Sequence, residues 1–516
     1  MAGPVPDERH REVDQVDSET PYDVIVVGGG PAGSTVATLV AKRRHRVLLL
    51  EKETFPRYQI GESLLPATVH GVAHLLGVDE ELKNANFTVK HGGTFKWGSS
   101  EQPWTFDFAA SRRMAGPTSY AYQVERMRFD KILLDNARRN GVEVHENSPV
   151  TDVLKADGRV TTVRYTDGDG QSHEATGRYV VDASGNTTRL SGASGARREY
   201  SRFFRNLALF GYFEGGGRLP APNQGNIFSC AFEHGWFWYI PLSPTLTSVG
   251  AVVNQESTAM VQGDPEEAMR RFIAACPQIA EKLANATRVT EGPYGQLRVR
   301  KDWSYCNTAF SAPGMVLVGD AACFVDPVFS SGVHLATYGG LLAARSINAC
   351  LAGDVDEKES FLEFERRYRR EYGLFYEFLV GFYDMHQSES SYFWQARKVT
   401  NASVPDLEAF VELVGGVAAN ELLSVAQARK SFEDSSQQLS RLVDAGPDDD
   451  EHVIGAVPGR LLEQGTALQG RAVIGASAGE GRPLEPGGLG ASPDGLSWVP
   501  ARLAPETPAG ERLPSA

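Results

Sequence analysis

The segment Gly28-Gly29-Gly30-Pro31-Ala32-Gly33, which follows the apolar run Tyr22–Val27, decides the fold of this 516-residue chain. In a phosphate-binding turn of this kind, Gly28 permits the tight bend and Gly30 lets the backbone approach a pyrophosphate. Gly33 then allows the following helix to pack closely on the strand. The pattern predicts a dinucleotide-binding loop between a buried strand and a helix.

The residues on both sides of the loop complete this unit. A strand is expected over Tyr22–Val27, a helix over residues 33–43 and a second strand over residues 46–51. Glu51 ends that second strand, where a carboxylate can accept a hydrogen bond from the ribose of an unphosphorylated adenosine. The phosphates would meet the helix N-terminus.

Composition and charge exclude several classes of protein. The chain is 41% hydrophobic with a formal net charge of −14, which favours a large folded core and disfavours nucleic acid and anionic membranes as partners. Five cysteines without a CxxC pair indicate neither a disulfide framework nor a zinc site. Because no stretch has the apolar length of a signal sequence or a membrane span, we expect a cytoplasmic protein.

Periodicity and composition also divide the chain into parts. Residues 1–20 are polar and predict a disordered lead, whereas residues 21–382 carry the folded module. Apolar side chains three and four positions apart between Phe361 and Phe382 predict a long amphipathic helix. We expect a helical region at residues 383–445 and a disordered tail, rich in glycine and proline, at residues 446–516.

A later segment favours a flavin over a nicotinamide cofactor. The apolar strand in Gly314-Met315-Val316-Leu317-Val318 ends in Gly319-Asp320. An acid at the end of a strand suits a ligand in the crevice of an α/β sheet, and Asp320 could hold a ribityl hydroxyl. A strand that ends in an ordinary turn remains the alternative.

The glycine loop and Gly319-Asp320 together resemble the FAD-dependent monooxygenase superfamily of hydroxylases and halogenases, over about residues 22–382. Three further segments resemble its halogenases: Trp236-x-Trp238-x-Ile240-Pro241, Phe324-x-x-Pro327-x-x-Ser330-Ser331-Gly332 and the loop Gly61-Glu62-Ser63. The resemblance implies that the tryptophans keep substrate away from the flavin. It also implies that amides at Ser331 and Gly332 bind halide, which suits consecutive backbone N–H groups at a helix start. The likeness is greatest to the phenol halogenases of the chondrochloren type and of enediyne pathways.

This resemblance implies an α/β fold of the glutathione-reductase/hydroxylase type: a Rossmann-like FAD domain, an inserted sheet-rich substrate domain and a helical C-terminal region. The FAD-binding parts would be about residues 21–90, 120–190 and 295–360, and the substrate parts about 91–119 and 191–294. The residues assigned to FAD are Gly28, Gly30, Pro31, Ala32, Gly33, Ser34, Glu51, Lys52, Arg57, Ile60, Arg126, Asp182, Gly319, Asp320, Gly332 and Val333.

The resemblance assigns catalysis to Lys90, which aligns with the halogenase lysine through the following Gly92-Gly93-Thr94; Lys96 is the nearest alternative. An ammonium can hydrogen-bond hypochlorous acid, while a desolvated lysine can form a chloramine, and both routes stay open. Tryptophan halogenases carry a glutamate at the position of Phe329. Its replacement disfavours an indole and favours a phenol, which is already activated toward electrophiles.

The implied function is chlorination of a phenolic, tyrosyl- or aryl-polyketide-derived substrate on an acyl or peptidyl carrier protein, in antibiotic biosynthesis. FAD reduced by a separate flavin reductase, oxygen and chloride would yield hypochlorous acid for the lysine to direct. An aromatic hydroxylase or reductase of the same fold and a non-catalytic carrier-docking protein remain alternatives. A basic surface for the carrier is expected at Arg366, Arg367, Arg369 and Arg370, although Glu363 and Glu365 can pair with two of these along a helix.

Overall fold

The computed structural model describes residues 21–97, 102–110, 116–186, 190–254, 256–384, 453–454 and 488–500. The strands, numbered in chain order, are β1 Tyr22–Val27, β2 Val47–Leu50, β3 Thr88–Lys90, β4 Gly92–Lys96, β5 Trp104–Asp107, β6 Ala121–Gln123, β7 Glu143–His145, β8 Val150–Ala156, β9 Arg159–Thr166, β10 Ser172–Asp182, β11 Arg198–Glu214, β12 Ile227–Phe232, β13 Gly235–Pro241, β14 Leu246–Val253, β15 Thr287–Arg288, β16 Arg298–Asn307, β17 Ser311–Ala312, β18 Met315–Leu317, β19 Cys323–Phe324, β20 Val453–Ile454, β21 Leu489–Ala491 and β22 Trp498–Pro500. The α-helices are α1 Pro31–Ala41, α2 Ala73–Leu76, α3 Asp79–Asn84, α4 Arg126–Arg139, α5 Pro265–Ala274, α6 Pro277–Leu283, α7 Ser331–Ala352 and α8 Glu357–Asp384.

The first sheet is the dinucleotide-binding layer. Its strands lie in the order β17-β18-β10-β1-β2-β7, and β18, β10, β1, β2 and β7 run parallel. β2 is buried at every residue, as expected for a parallel strand covered on both faces. α1 is also buried along its whole length, because α4 and α7 pack against it. It begins two residues earlier than predicted, with Pro31 in its first turn, where a missing N–H costs nothing.

The second sheet is mainly antiparallel and runs in the order β19-β16-β11-β14-β13-β12-β4-β5-β20, with β15 on β11. Alternate residues of β13 point to opposite faces. Trp236 and Trp238 join the main core, whereas Phe237 and Tyr239 join a second core that α5 and α6 cover. This sheet therefore presents its tryptophan face to the dinucleotide-binding layer.

The predicted amphipathic helix is confirmed as α8, which packs on α7 and buries Phe361, Phe364, Tyr368 and Phe375. Residues 1–20, and most of the region predicted to be helical at 383–445, lie outside the described residues. No helix in the described part of the chain is both long and apolar enough to cross a membrane.

The expectation of a disordered tail is wrong for residues 488–500, where β21 and β22 form a hairpin. Trp498 is fully buried, with the guanidinium carbons of Arg345 and Arg367 at 5.0 and 4.9 Å from its ring centroid. Its Nε1 donates to the Ser346 hydroxyl over 2.9 Å. A composition averaged over the whole tail does not reveal this short apolar segment, whose partners lie much earlier in the chain, on α7 and α8.

Candidate active site

A cavity of about 670 Å³, within the usual size range of cofactor and ligand sites, is lined by residues of both large sheets. The predicted site residues on its wall are Gly28, Gly30, Pro31, Ala32, Glu51, Lys52, Arg57, Ile60, Arg126, Trp236, Trp238, Ile240, Gly319, Asp320, Gly332 and Val333. Segments that are far apart in the sequence thus meet around one space.

The glycine loop forms part of the cavity wall. Gly28 has a φ of +103°, and a Cβ atom there would lie 2.5 Å from the carbonyl oxygen of Ala183. A Cβ at Gly33 would lie 1.9 Å from the Gly28 oxygen, so the helix can approach the strand only without a side chain. Gly30 caps α1 without any side-chain hydrogen bond and faces the cavity. The open N–H groups suit a pyrophosphate.

Several predicted residues support this wall without lining the cavity. The Ser34 hydroxyl donates to the Gly29 carbonyl over 2.9 Å, and Asp182 accepts the Ser184 amide over 3.1 Å. Gly33, Pro241 and Ser331 are likewise outside the lining. Their positions fit a supporting role.

Two cations in the wall are held by an acid that the motifs did not identify. Asp130 accepts from Arg126 Nε and Nη2 over 2.7 and 2.8 Å, and from Arg57 Nη1 over 2.9 Å. The four-residue spacing of Arg126 and Asp130 on α4 was the available signal. Glu51 accepts the Gly29 amide over 2.6 Å and thereby ties the second strand to the glycine loop.

The N-terminus of α7 meets the same cavity. Ser330 precedes it with a φ of +61° and gives the helix no side-chain cap. Ser331 is fully buried, and its hydroxyl oxygen makes no hydrogen bond to any described residue. A Cβ at Gly332 would meet nothing within 4 Å. This open, positively polarised helix start can receive an anion.

Trp236 and Trp238 form one wall, with ring centroids 6.2 Å apart. Trp238 Nε1 donates to the Ser248 hydroxyl over 3.1 Å. Its indole lies on Gly250 of the neighbouring strand, where a Cβ would be only 2.2 Å from Trp238 Cζ2. The missing side chain of Gly250 therefore sets the position of the indole.

We expect Gly250→Ala to weaken FAD binding by about tenfold, because overpacking costs about 1–3 kcal/mol and the displaced indole borders the cavity. Fluorescence titration of the apoprotein with FAD measures this. Gly373→Ala on α8, where an added Cβ meets nothing within 4 Å, is the control. Equal FAD affinities for both variants would contradict the prediction.

Lys90 lies just outside the cavity wall. Its Nζ donates to the Ser63 hydroxyl over 2.9 Å and to the Leu64 carbonyl over 3.1 Å, and Ser63 lines the cavity. Lys90 is 2% exposed, and this burial lowers the pKa of its ammonium to about 7. Lys96, the alternative, pairs across the sheet with Cys230. Only the Ser63 hydroxyl separates the ammonium from the cavity. Because burial penalises the charged form of Lys90, this side chain loses its proton more readily than an exposed lysine does.

An aromatic wall and two helix N-termini around one cavity fit FAD, with its planar ring and its pyrophosphate. The fold and site define a flavoprotein with a parallel dinucleotide-binding sheet. Comparisons with known proteins specify it further. The tryptophan halogenase family matches residues 23–116 and 109–442.

Among solved structures, the myxobacterial chondrochloren halogenase, an FAD-dependent enzyme, is 52% identical, with a TM-score of 0.74 and coverage of 93% of this chain and 99% of that one. A flavin-dependent brominase is 28% identical, with a TM-score of 0.68 and coverage of 82% and 100%. The tryptophan 2-halogenase of Chondromyces crocatus is 34% identical over 406 residues, which are 76% of this chain and 75% of that one. The chain belongs to the tryptophan halogenase family of flavin-dependent halogenases. FAD is its cofactor, chloride is its halide co-substrate, and a separate flavin reductase is needed.

Proposed function

We propose that this halogenase chlorinates the aromatic ring of a phenol. In this proposal Lys90 either orients hypochlorous acid by a hydrogen bond or carries the chlorine as a lysine chloramine. The observation that carries the proposal is the environment of Lys90. Among the described residues no carboxylate pairs with its ammonium, which has only a hydroxyl and a carbonyl as hydrogen-bond partners. A buried cation without an acid beside it can orient an electrophile. A site of this kind suits a phenol, which can lose its own hydroxyl proton and so does not need a carboxylate beside the lysine.

A continuous path of buried aromatic rings connects Lys90 to the tryptophan wall of the cavity. Phe329, at the position where tryptophan halogenases are expected to carry an acid, packs 4.7 Å from Phe382 and 6.2 Å from Phe95. Neighbouring ring centroids lie within 4.6 to 6.4 Å along the path Phe108, Phe106, Phe95, Phe382, Trp97 and Trp236. Lys90 Nζ lies 5.6 Å from the Phe108 ring. These rings are buried against one another, and Trp236 brings the path to the cavity wall, where an indole can stack on a planar ring.

Tryptophan is the second candidate, because a relative with 34% identity is named a tryptophan 2-halogenase. The test incubates the full chain with FAD, a flavin reductase, oxygen and chloride. A free phenolic acid, the same acid on a carrier protein and free tryptophan are supplied separately. We expect mass spectrometry to find one hydrogen replaced by chlorine in a phenol. Chlorination of tryptophan alone would overturn the substrate class, and an oxygenated product would favour a hydroxylase.

We further propose a carrier-bound substrate, with a docking surface smaller than the four arginines predicted. Arg367 is buried and donates to Glu363 over 2.6 Å, so it cannot meet a partner. Arg369 donates to Glu365 over 2.7 Å and to the Asn307 carbonyl over 2.9 Å. The hydrogen bonds of these two arginines lie within the folded chain. Arg366 is exposed and Arg370 is half-buried on α8, and these two are the proposed docking residues.

Reversing the charge of Arg366 and Arg370 to glutamate should raise the KM for carrier-bound phenol about tenfold at low salt, because carrier proteins are acidic. The difference should shrink at high salt, which screens exposed charges. Arg270→Glu, an exposed site on α5, is the matched control. Steady-state kinetics on both substrate forms measure the effect. Equal turnover of free and carrier-bound phenol by the wild type would contradict carrier docking but not halogenation.

A further inference from the structure

A buried acid, Glu62, borders the cavity and has no part in the function proposed above. It is 2% exposed and lines the cavity, and the hydroxyls of Tyr212 and Ser248 lie beside its carboxyl group. The loop holds it in place, since Gly61 has a φ of +97° and the Glu62 carbonyl accepts the Val124 amide over 2.7 Å. Burial makes the ionised form of a carboxyl group costly. Such a group is a candidate for chemistry in the cavity.

Two tyrosine hydroxyls connect this acid to a half-buried position. Tyr212 donates to Glu62 Oε1 over 2.7 Å, and the hydroxyls of Tyr212 and Tyr58 lie 2.8 Å apart. Because the Tyr212 proton is directed at Glu62, Tyr58 donates to Tyr212. The guanidinium of Arg298, which is partly exposed, lies 3.7 Å from the centroid of the Tyr58 ring. The chain of hydrogen bonds therefore connects Glu62 to Tyr58, a half-buried residue that also lines the cavity.

The groups around Glu62 leave it able to exchange a proton near neutral pH. Burial raises the pKa of Glu62 to about 7, and the hydroxyls of Ser248 and Tyr212 with the charge of Arg126 oppose that rise only in part. Glu125, at the start of α4, adds to it. Burial also raises the pKa of Tyr58 to about 12. The tyrosines thus stay protonated while Glu62 titrates, as a relay requires.

The halogenase reaction consumes a proton in this cavity. Reduced FAD (FADH2), O2, Cl⁻ and H⁺ give FAD, HOCl and H2O, and HOCl with an aromatic C–H then gives the C–Cl bond and a second water. Oxygen accepts two electrons from the flavin and two from chloride. This proton is consumed when HOCl forms, before the aromatic substrate reacts. A carboxylic acid on the cavity wall can supply it as a general acid.

We propose that Glu62 supplies this proton to the flavin cavity and that Tyr212 and Tyr58 reload it from solvent. The relay is independent of which aromatic compound is chlorinated, because hypochlorous acid forms first. Each transfer breaks one O–H bond and forms the next. One proton moves from Tyr58 to Tyr212 and one from Tyr212 to Glu62, and solvent restores the proton of Tyr58.

The test compares Glu62→Gln and Tyr212→Phe with Tyr294→Phe. Tyr294 belongs to the same ring cluster, 4.4 Å from Tyr212, but its hydroxyl donates to Glu125 over 3.1 Å and lies outside the relay. Enzyme-bound reduced FAD is mixed with oxygen and chloride without aromatic substrate, and HOCl is captured by an amine. We expect HOCl formation to fall about 100-fold in Glu62→Gln and Tyr212→Phe, with peroxide released instead, and by less than twofold in Tyr294→Phe.

A second readout needs no flavin. Infrared titration of the apoprotein should give a carboxylic acid band that disappears as pH rises through about 7 and is absent from Glu62→Gln. In the wild type, HOCl formation should slow over the same range. If Glu62→Gln does not retain FAD, Tyr212→Phe, which leaves the acid in place, decides. Wild-type rates in Tyr212→Phe, an equal loss in Tyr294→Phe or the absence of the infrared band would each overturn the relay.

Discussion

Replacing Lys90 with methionine should reduce chlorinated product at least about 100-fold while FAD binding and oxygen consumption continue. Methionine fills the same buried space and removes only the ammonium with its hydrogen bonds to Ser63 and Leu64. Because Lys90 does not line the FAD cavity, the cofactor contacts should remain. Product is measured by mass spectrometry, and oxygen uptake is followed in the same reaction.

Lys96→Met, on the neighbouring strand, is the matched control and should keep chlorination.

The burial of Lys90 also predicts that the stability of the protein depends on pH. Burial lowers its pKa from the ordinary 10.5 to about 7, so the unfolded chain binds one more proton between these pH values. Stability should therefore rise with pH over this window, and the penalty is fully present below pH 7. In urea unfolding experiments, Lys90→Met should remove this rise of stability with pH. In the chlorination assay, retained chlorination by Lys90→Met would contradict the assignment of Lys90.

Trp498→Ala should lower the free energy of unfolding by about 3–5 kcal/mol, although the residue lies far along the chain from the rest of the fold. Its fully buried indole contacts Arg345 and Arg367 and donates to Ser346. Truncation after Ala445 should likewise lower the free energy of unfolding, because it removes the β21–β22 hairpin. That deletion also removes the bonds from Arg345 to the Gly495 carbonyl and from Asn348 to the Leu496 carbonyl.

Trp498→Phe is the graded control, because it keeps a ring near both guanidinium groups and loses one hydrogen bond, worth about 1 kcal/mol. Urea unfolding followed by fluorescence gives both values. An unchanged midpoint for Trp498→Ala would show that the hairpin does not contribute to stability. Chlorination by a folded truncated chain would separate this structural role from catalysis.

The sequence by itself determined the elements whose cause is local. The glycine loop requires positive φ and close approach at Gly28, so the strand Tyr22–Val27 and the helix after it were predictable. The apolar spacing after Phe361 predicted α8 because helical periodicity is a property of a short segment. The motifs also predicted the class of flavin enzyme, which the family match and the solved relatives confirm.

Only the tertiary structure decided which side chains work together. Glu62 and Tyr212 are 150 residues apart, and so are Arg345 and Gly495, yet each pair shares a hydrogen bond. No local pattern specifies such a pair, because its energy depends on the desolvation and geometry that packing of distant elements creates. The same burial turns Lys90 from an ordinary surface type of residue into a cation with a pKa of about 7. The sequence specifies which side chains are present. Their pKa values, hydrogen-bond partners and access to the cavity depend on how the chain folds.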